Sequence, residues 1–263
     1  MRNMVVGLGG AIAVVAGVLA ASGRGVATGA PAAPSPAAAS PSPSPRTPAP
    51  EPPPEERFER DMMIRFQMHA RFDVARDVER WLVRGNLADA RALAAVVAAT
   101  PAEPELAAWA GPLAVVRARA GAIAGATRLD DACRAFGRMA AACAGCHAEL
   151  AVQPGVRRRP HEPADLPTVP ARMARHGWAA DRLWEGLIGG GDDAWRDGLD
   201  VLSATPVTFA TDGVARARRA AGLRQLASVA RRAPIDDAAA RGERYGAILI
   251  ACAGCHQPAA LPR

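Results

Sequence analysis

The chain of 263 residues contains no lysine, because all 32 of its basic side chains are arginine. It has little aromatic content (4%) and a single tyrosine, against an apolar fraction of 50%. Cores built from Ala, Leu and Val with few rings favour helices and argue against β-sandwiches. The arginine-only usage, beside abundant Ala, Gly and Pro, reads as a general coding bias. The net charge of +6 and the pI near 9.8 therefore say little about a phosphate ligand. Nucleic-acid binding normally shows a clustered basic face with stacking aromatics. Here the only uninterrupted basic run of three is Arg157, Arg158 and Arg159, between prolines, so no nucleic-acid partner is expected.

The front of the chain sets the expected compartment. Residues 4–21 are uncharged and apolar and follow Arg2, which fits a secretory signal peptide or a short membrane anchor. Residues 1–22 are assigned to that role. No cysteine closely follows the stretch, which excludes a lipoprotein anchor. Residues 23–55 form a Pro/Ala/Ser-rich disordered linker, and 11 of the 23 prolines fall in 31–54. In an extended polyproline form those positions reach roughly 70 Å, at about 3.1 Å per residue. The expected location is periplasmic or otherwise exported, with the protein either cleaved free or tethered through residues 4–21.

The remainder, roughly 208 residues, suits one or two domains, and its pattern is duplicated. Cys143-Ala-Gly-Cys146-His147 recurs as Cys252-Ala-Gly-Cys255-His256, and Phe136-Gly137 matches Tyr245-Gly246 at the same offset of 109. Upstream, Ala99-Thr100-Pro101 matches Ala204-Thr205-Pro206 at an offset of 105, and at that offset Met68 falls on Met173, Leu82 on Leu187 and Gly85 on Gly190. Turn residues cut each half into four helical segments. The first half reads as helices near 57–84, 87–99 and 105–124, then one from Asp130 or Asp131 through the cysteine pair. The second half reads as 171–188, 192–204, a segment ending near Arg232, and one from Asp236 or Asp237 through His256. The expected fold is all-α: two tandem antiparallel four-helix bundles over 56–152 and 170–258, joined by a linker at 153–169.

Cys-x-x-Cys-His is the attachment signature of c-type haem. Two cysteines one helical turn apart face the same way, so their sulfurs can add to the two vinyl groups of one porphyrin while the next residue, His, meets the iron. Cys143, Cys146, Cys252 and Cys255 are thus the expected covalent sites for two haems, with His147 and His256 as proximal iron ligands. A thioredoxin-like pair would open a helix after a strand, whereas these pairs close helices. Zinc would need further thiols or imidazoles at pairing distance. A disulfide within each pair would describe unmatured protein. Cys133 reads as a buried, unreactive thiol.

In small cytochromes c the motif lies near the domain's N-terminus and a distal Met follows tens of residues later. Only seven residues follow His256. The arrangement instead resembles the cytochrome c′ group of four-helix-bundle cytochromes, whose motif sits near the end of the fourth helix; the resemblance covers roughly residues 60–150 and 170–258. Met173-Ala-Arg-His176, followed by Leu187-Ile188-Gly189-Gly190, is also similar to a pattern in uncharacterised bacterial c-type cytochromes.

Spacing separates the histidines left for the distal positions. Met173, His176, Ala180, Leu183 and Leu187 recur at three- and four-residue steps, which puts His176 on a buried stripe. Its expected partner is iron, the alternative being a main-chain carbonyl. In the first half Arg71 takes that place, and His69 lies about 160° away around the helix. His69 is the expected distal ligand there, with Met68 or an open position as alternatives, while His161 reads as a surface residue. The whole reads as an exported dihaem electron carrier rather than an enzyme. Its partners would be other redox proteins, and the net charge of +5 outside the first 55 residues favours acidic docking surfaces. The cytochrome c′ resemblance implies an alternative, a gas-binding protein for nitric oxide or carbon monoxide if one iron stays open.

Overall fold

A computed structural model describes residues 53–154, 161–206, 213–234 and 237–256. The apolar stretch at 4–21, the proline tract up to residue 52 and the basic run at 157–159 lie outside them. Among the described residues every regular element is helical. The first half comprises α1 (Pro54–Val83), α2 (Leu87–Ala99), α3 (Ala110–Ala124) and α4 (Leu129–Glu149), with a 3₁₀ turn at Pro104–Trp109 before α3. The second comprises α5 (Val169–Ile188), α6 (Asp192–Ala204), α7 (Gly213–Arg232) and α8 (Ala238–His256).

Turn chemistry places these boundaries as the sequence implies. Gly85 (φ 74°) and Gly190 (φ 68°) both take the left-handed conformation that ends the first helix of each half, at the offset of 105. The Asn86 side chain caps α2 by accepting from the Asp89 amide at 3.2 Å, and Asp237 caps α8 by accepting from the Ala240 amide at 2.9 Å. Asp130 and Asp131, either of which is expected to open the fourth helix, sit instead in the first turn of α4 behind Arg128. There their charge still meets the positive end of the helix dipole.

Helices adjacent in sequence pack together within each half, and the most extensive contact of all joins the halves through α4 and α8. Its direction follows from the glycines. Gly137 lies against Gly242 and Gly246, while Gly246 lies against Cys133 and Arg134. Numbers rise on one helix as they fall on the other, so α4 and α8 run antiparallel. A side chain on Gly137 would fall on the Gly242 carbonyl oxygen and come within 2.9 Å of the Gly246 nitrogen. Helix axes this close are open only to small residues. Arg138 and Glu243 bridge the same crossing at 2.6 Å.

Around this crossing the fourth helix of each half touches the first helix of both, and the four contribute one ring each to a shared core. Phe136 (α4) stacks on Trp184 (α5) with centroids 5.4 Å apart. Tyr245 (α8) lies 6.0 Å from Trp184 and 6.4 Å from Phe136, and Phe72 (α1) lies 6.0 Å from Trp184. The described helices belong to one compact unit.

Candidate functional site

The antiparallel crossing places the two cysteine motifs at opposite ends of the α4–α8 pair. Phe136 and Tyr245 mark its middle, and each cysteine motif begins seven residues further along its own helix. At 1.5 Å per residue this separates Cys143 from Cys252 by roughly 20 Å along the axis.

Both motifs occupy the last turns of their helices, and all five cysteines are free thiols. Burial pushes the thiols of Cys143 and Cys252 up to about 12, with the partner cysteine of each pair adding to the effect. Cys146 and Cys255 are raised for the same first reason. Such groups are protonated thiols near neutral pH. Among the described residues no three His, Cys, Asp or Glu side chains are grouped so as to hold a metal ion. Cys133 is fully buried and likewise pushed to about 12, as an unreactive thiol should be.

His147 is half-buried, and its Nδ1 donates to the Ile188 carbonyl oxygen at 3.3 Å. A carbonyl can only accept, so Nδ1 carries a proton in this contact, and in the neutral imidazole Nε2 is the nitrogen left for a metal, the usual outer-sphere arrangement of a ligating imidazole. Beside it opens a cleft of about 350 Å³. Ala144, His147 and Ala148 of α4 form one wall, Leu187 and Gly189 at the end of α5 another, and Arg241 of α8 a third. Arg241 is 4% exposed. It donates to the Gly186 carbonyl at 2.9 Å and pairs with Asp192. The first motif is thus walled by the second half, which sequence spacing gave no reason to expect.

At the other end His256 is exposed but desolvated enough that its pKa is lowered, with the charges of Arg216 and Arg84 adding to the effect. Arg219 of α7 donates to the Gly254 carbonyl at 2.7 Å, covering an otherwise free acceptor at the helix end. His176 lies toward the same end as His256. It is half-buried, and burial lowers its pKa, with the charge of His256 contributing. Both imidazoles are therefore neutral near pH 7, the form that ligates metals. The Nε2 of His176 lies 3.5 Å from the Thr205 carbonyl oxygen, which is the carbonyl alternative in a long form.

The first half differs where the sequence says it should. Arg71, in the register position of His176, donates to the Pro101 carbonyl at 3.4 Å and pairs with Glu103. Each thus reaches the C-terminal end of the second helix of its own half. His69 is exposed on α1 and Met68 is half-buried, and among the described residues neither lines the cleft beside His147. His161 is exposed, as expected.

No known protein family, no curated protein and no solved structure matches this chain.

Proposed function

We propose that the protein is an exported dihaem c-type cytochrome that transfers electrons between redox partners, each four-helix half carrying one covalent haem. The observation that carries this reading is the identical Cys-Ala-Gly-Cys-His set in the last turns of α4 and α8, with free thiols and a His that, in the first set, keeps Nε2 open through its Nδ1 bond to Ile188. The residues fit the group. Cys143 and Cys146 would anchor one porphyrin and Cys252 and Cys255 the other. The cleft beside His147 is apolar along α4 and α5, and Arg216 and Arg219 beside Cys255 and His256 would supply positive charge for propionate carboxylates at the second site, whereas Arg241 is already paired with Asp192.

A bound haem would supply a one-electron redox centre. The protein's part is to hold that centre rigid and tune it through the axial ligands and burial. His147 and His256 would each hold the iron of the haem attached beside them. His176, desolvated and neutral, would be the second histidine available to hold the iron of the second site, its Nε2 lying in a long contact to Thr205 that a metal could replace. In the first half His69 would have to turn inward to do the same, with Met68 as the alternative. The excess of arginine favours partners with acidic docking faces, and the N-terminal apolar segment and proline tract fit an exported, cleaved or tethered protein.

One observation favours a second reading. With Arg71 engaged by Glu103 and His69 exposed, an open position on the first iron would suit gas binding, as the cytochrome c′ resemblance implies.

Changing Cys143 and Cys146 together to Ala is expected to halve the haem absorbance per chain and leave the second site's spectrum intact. The same change at Cys252 and Cys255 should remove the other half. Retention of full absorbance in either variant would reject covalent attachment at these pairs.

A further inference from the structure

The only tyrosine of the chain is buried at the centre of the molecule, in a setting that the haem reading does not use. Tyr245 is wholly inaccessible, and its hydroxyl donates to Glu79 Oε1. Glu79 on α1 is itself 4% exposed. Its other oxygen accepts from Arg76 Nη1, and Arg76 Nη2 reaches Asp181 on α5. The groups facing Glu79 are thus Arg76 and Arg80 from its own helix, Asp181 from α5, and Tyr245 and Cys252 from α8. A buried carboxylate at the end of a phenol's hydrogen bond is a ready proton acceptor, and burial raises its proton affinity.

Trp184, whose ring centroid is 6.0 Å from that of Tyr245, differs in two respects. Its indole Nε1 is buried with no hydrogen-bond partner among the described residues, so an oxidised Trp184 lacks a ready proton acceptor and carries a positive charge. The Arg76 guanidinium already lies 5.6 Å from its ring centroid, and a second positive charge beside it in a low-dielectric core is costly. Tyr245, by contrast, can discharge its proton along a bond already made. Of the two oxidisable rings in contact, the one with a proton acceptor is the place where an electron vacancy comes to rest. Phe136, the repeat counterpart of Tyr245, cannot take that role.

We propose that Tyr245 is a redox-active residue: a high-potential one-electron oxidant removes one electron from it, the phenolic O–H bond breaks, and the proton forms a new O–H bond on Glu79, leaving a neutral tyrosyl radical. The oxidant gains the electron, and Trp184 passes the vacancy inward. The four-helix core shields the radical from solvent. This role does not depend on haem attachment.

The test is flash photo-oxidation of the full exported chain by photogenerated ruthenium(III) tris-bipyridine, with any iron held ferric, followed by freeze-trapped electron paramagnetic resonance. A tyrosyl signal is expected, and with one tyrosine in the chain it belongs to Tyr245. Tyr245→Phe should remove it and leave a tryptophan-type signal. Glu79→Gln, which keeps an acceptor oxygen but no base, should cut the tyrosyl yield at least tenfold on a chain whose circular dichroism is unchanged. In the unmutated protein the yield should fall as the pH is lowered through the titration of Glu79, a readout that needs no variant. Tryptophan signals alone in the unmutated chain, or a tyrosyl yield indifferent both to Glu79→Gln and to pH, would overturn the proposal.

Discussion

Gly137→Ala is expected to lower the stability of the folded chain by about 3 kcal/mol, the upper range for forcing a methyl into a packed site. Exchange of glycine for alanine inside a helix normally adds about 1 kcal/mol of stability. Here the added carbon meets backbone on two sides, the Gly242 carbonyl and the Gly246 amide, and backbone cannot rotate away as a side chain can. The two helices must separate, and with them the shared ring cluster of Phe136, Trp184 and Tyr245 loosens. Gly137→Val should cost more still. Gly222→Ala on α7 is the control, since a side chain there meets nothing within 4 Å, and it should stabilise by up to about 1 kcal/mol. Denaturant titration of the three variants decides the matter. Equal midpoints for Gly137→Ala and Gly222→Ala would show that α4 and α8 do not meet as described.

The second large effect concerns the inequality of the two halves. His176→Ala is expected to convert the second haem from a six-coordinate, low-spin form to a high-spin form open to carbon monoxide, so that carbon monoxide uptake rises from one per chain to two. The argument rests on a half-buried, neutral imidazole at the end of the molecule that holds His256, with its Nε2 in a long, 3.5 Å contact to Thr205. His69→Ala should change little, because His69 is exposed on α1 and Arg71 fills the corresponding position. Optical titration with carbon monoxide reads both. Two haems closed to carbon monoxide in the unmutated protein, each opened by its own His-to-Ala change, would show that His69 turns inward and would leave no case for gas binding.

Much of the helical framework was legible because its punctuation is local. Gly85-Asn86, Thr100-Pro101 and their counterparts end helices by backbone chemistry that needs no distant partner, and the 105 offset correctly aligned Arg71 with His176. The all-α class followed from the same segments. The joining of the halves was not legible, because it depends on what is missing from helix faces. Gly137, Gly242 and Gly246 matter through the absence of a side chain, and the available signal was faint: the four-residue spacing Gly242–Gly246, with Cys133 and Gly137 as its repeat counterpart. Arg241 in the wall beside His147 and Glu79 under Tyr245 come from the opposite half of the sequence, 94 and 166 residues away. No local pattern announces either of them.

The central claim is that each half binds one haem through two thioethers, and intact mass spectrometry of the denatured chain, matured in an oxidising compartment, tests it most directly. Covalent haem survives denaturation, so the account predicts a mass above that of the processed polypeptide by two haem groups, one on Cys143 and Cys146 and one on Cys252 and Cys255. A chain carrying no added haem, with its cysteines free or paired as disulfides, would contradict it.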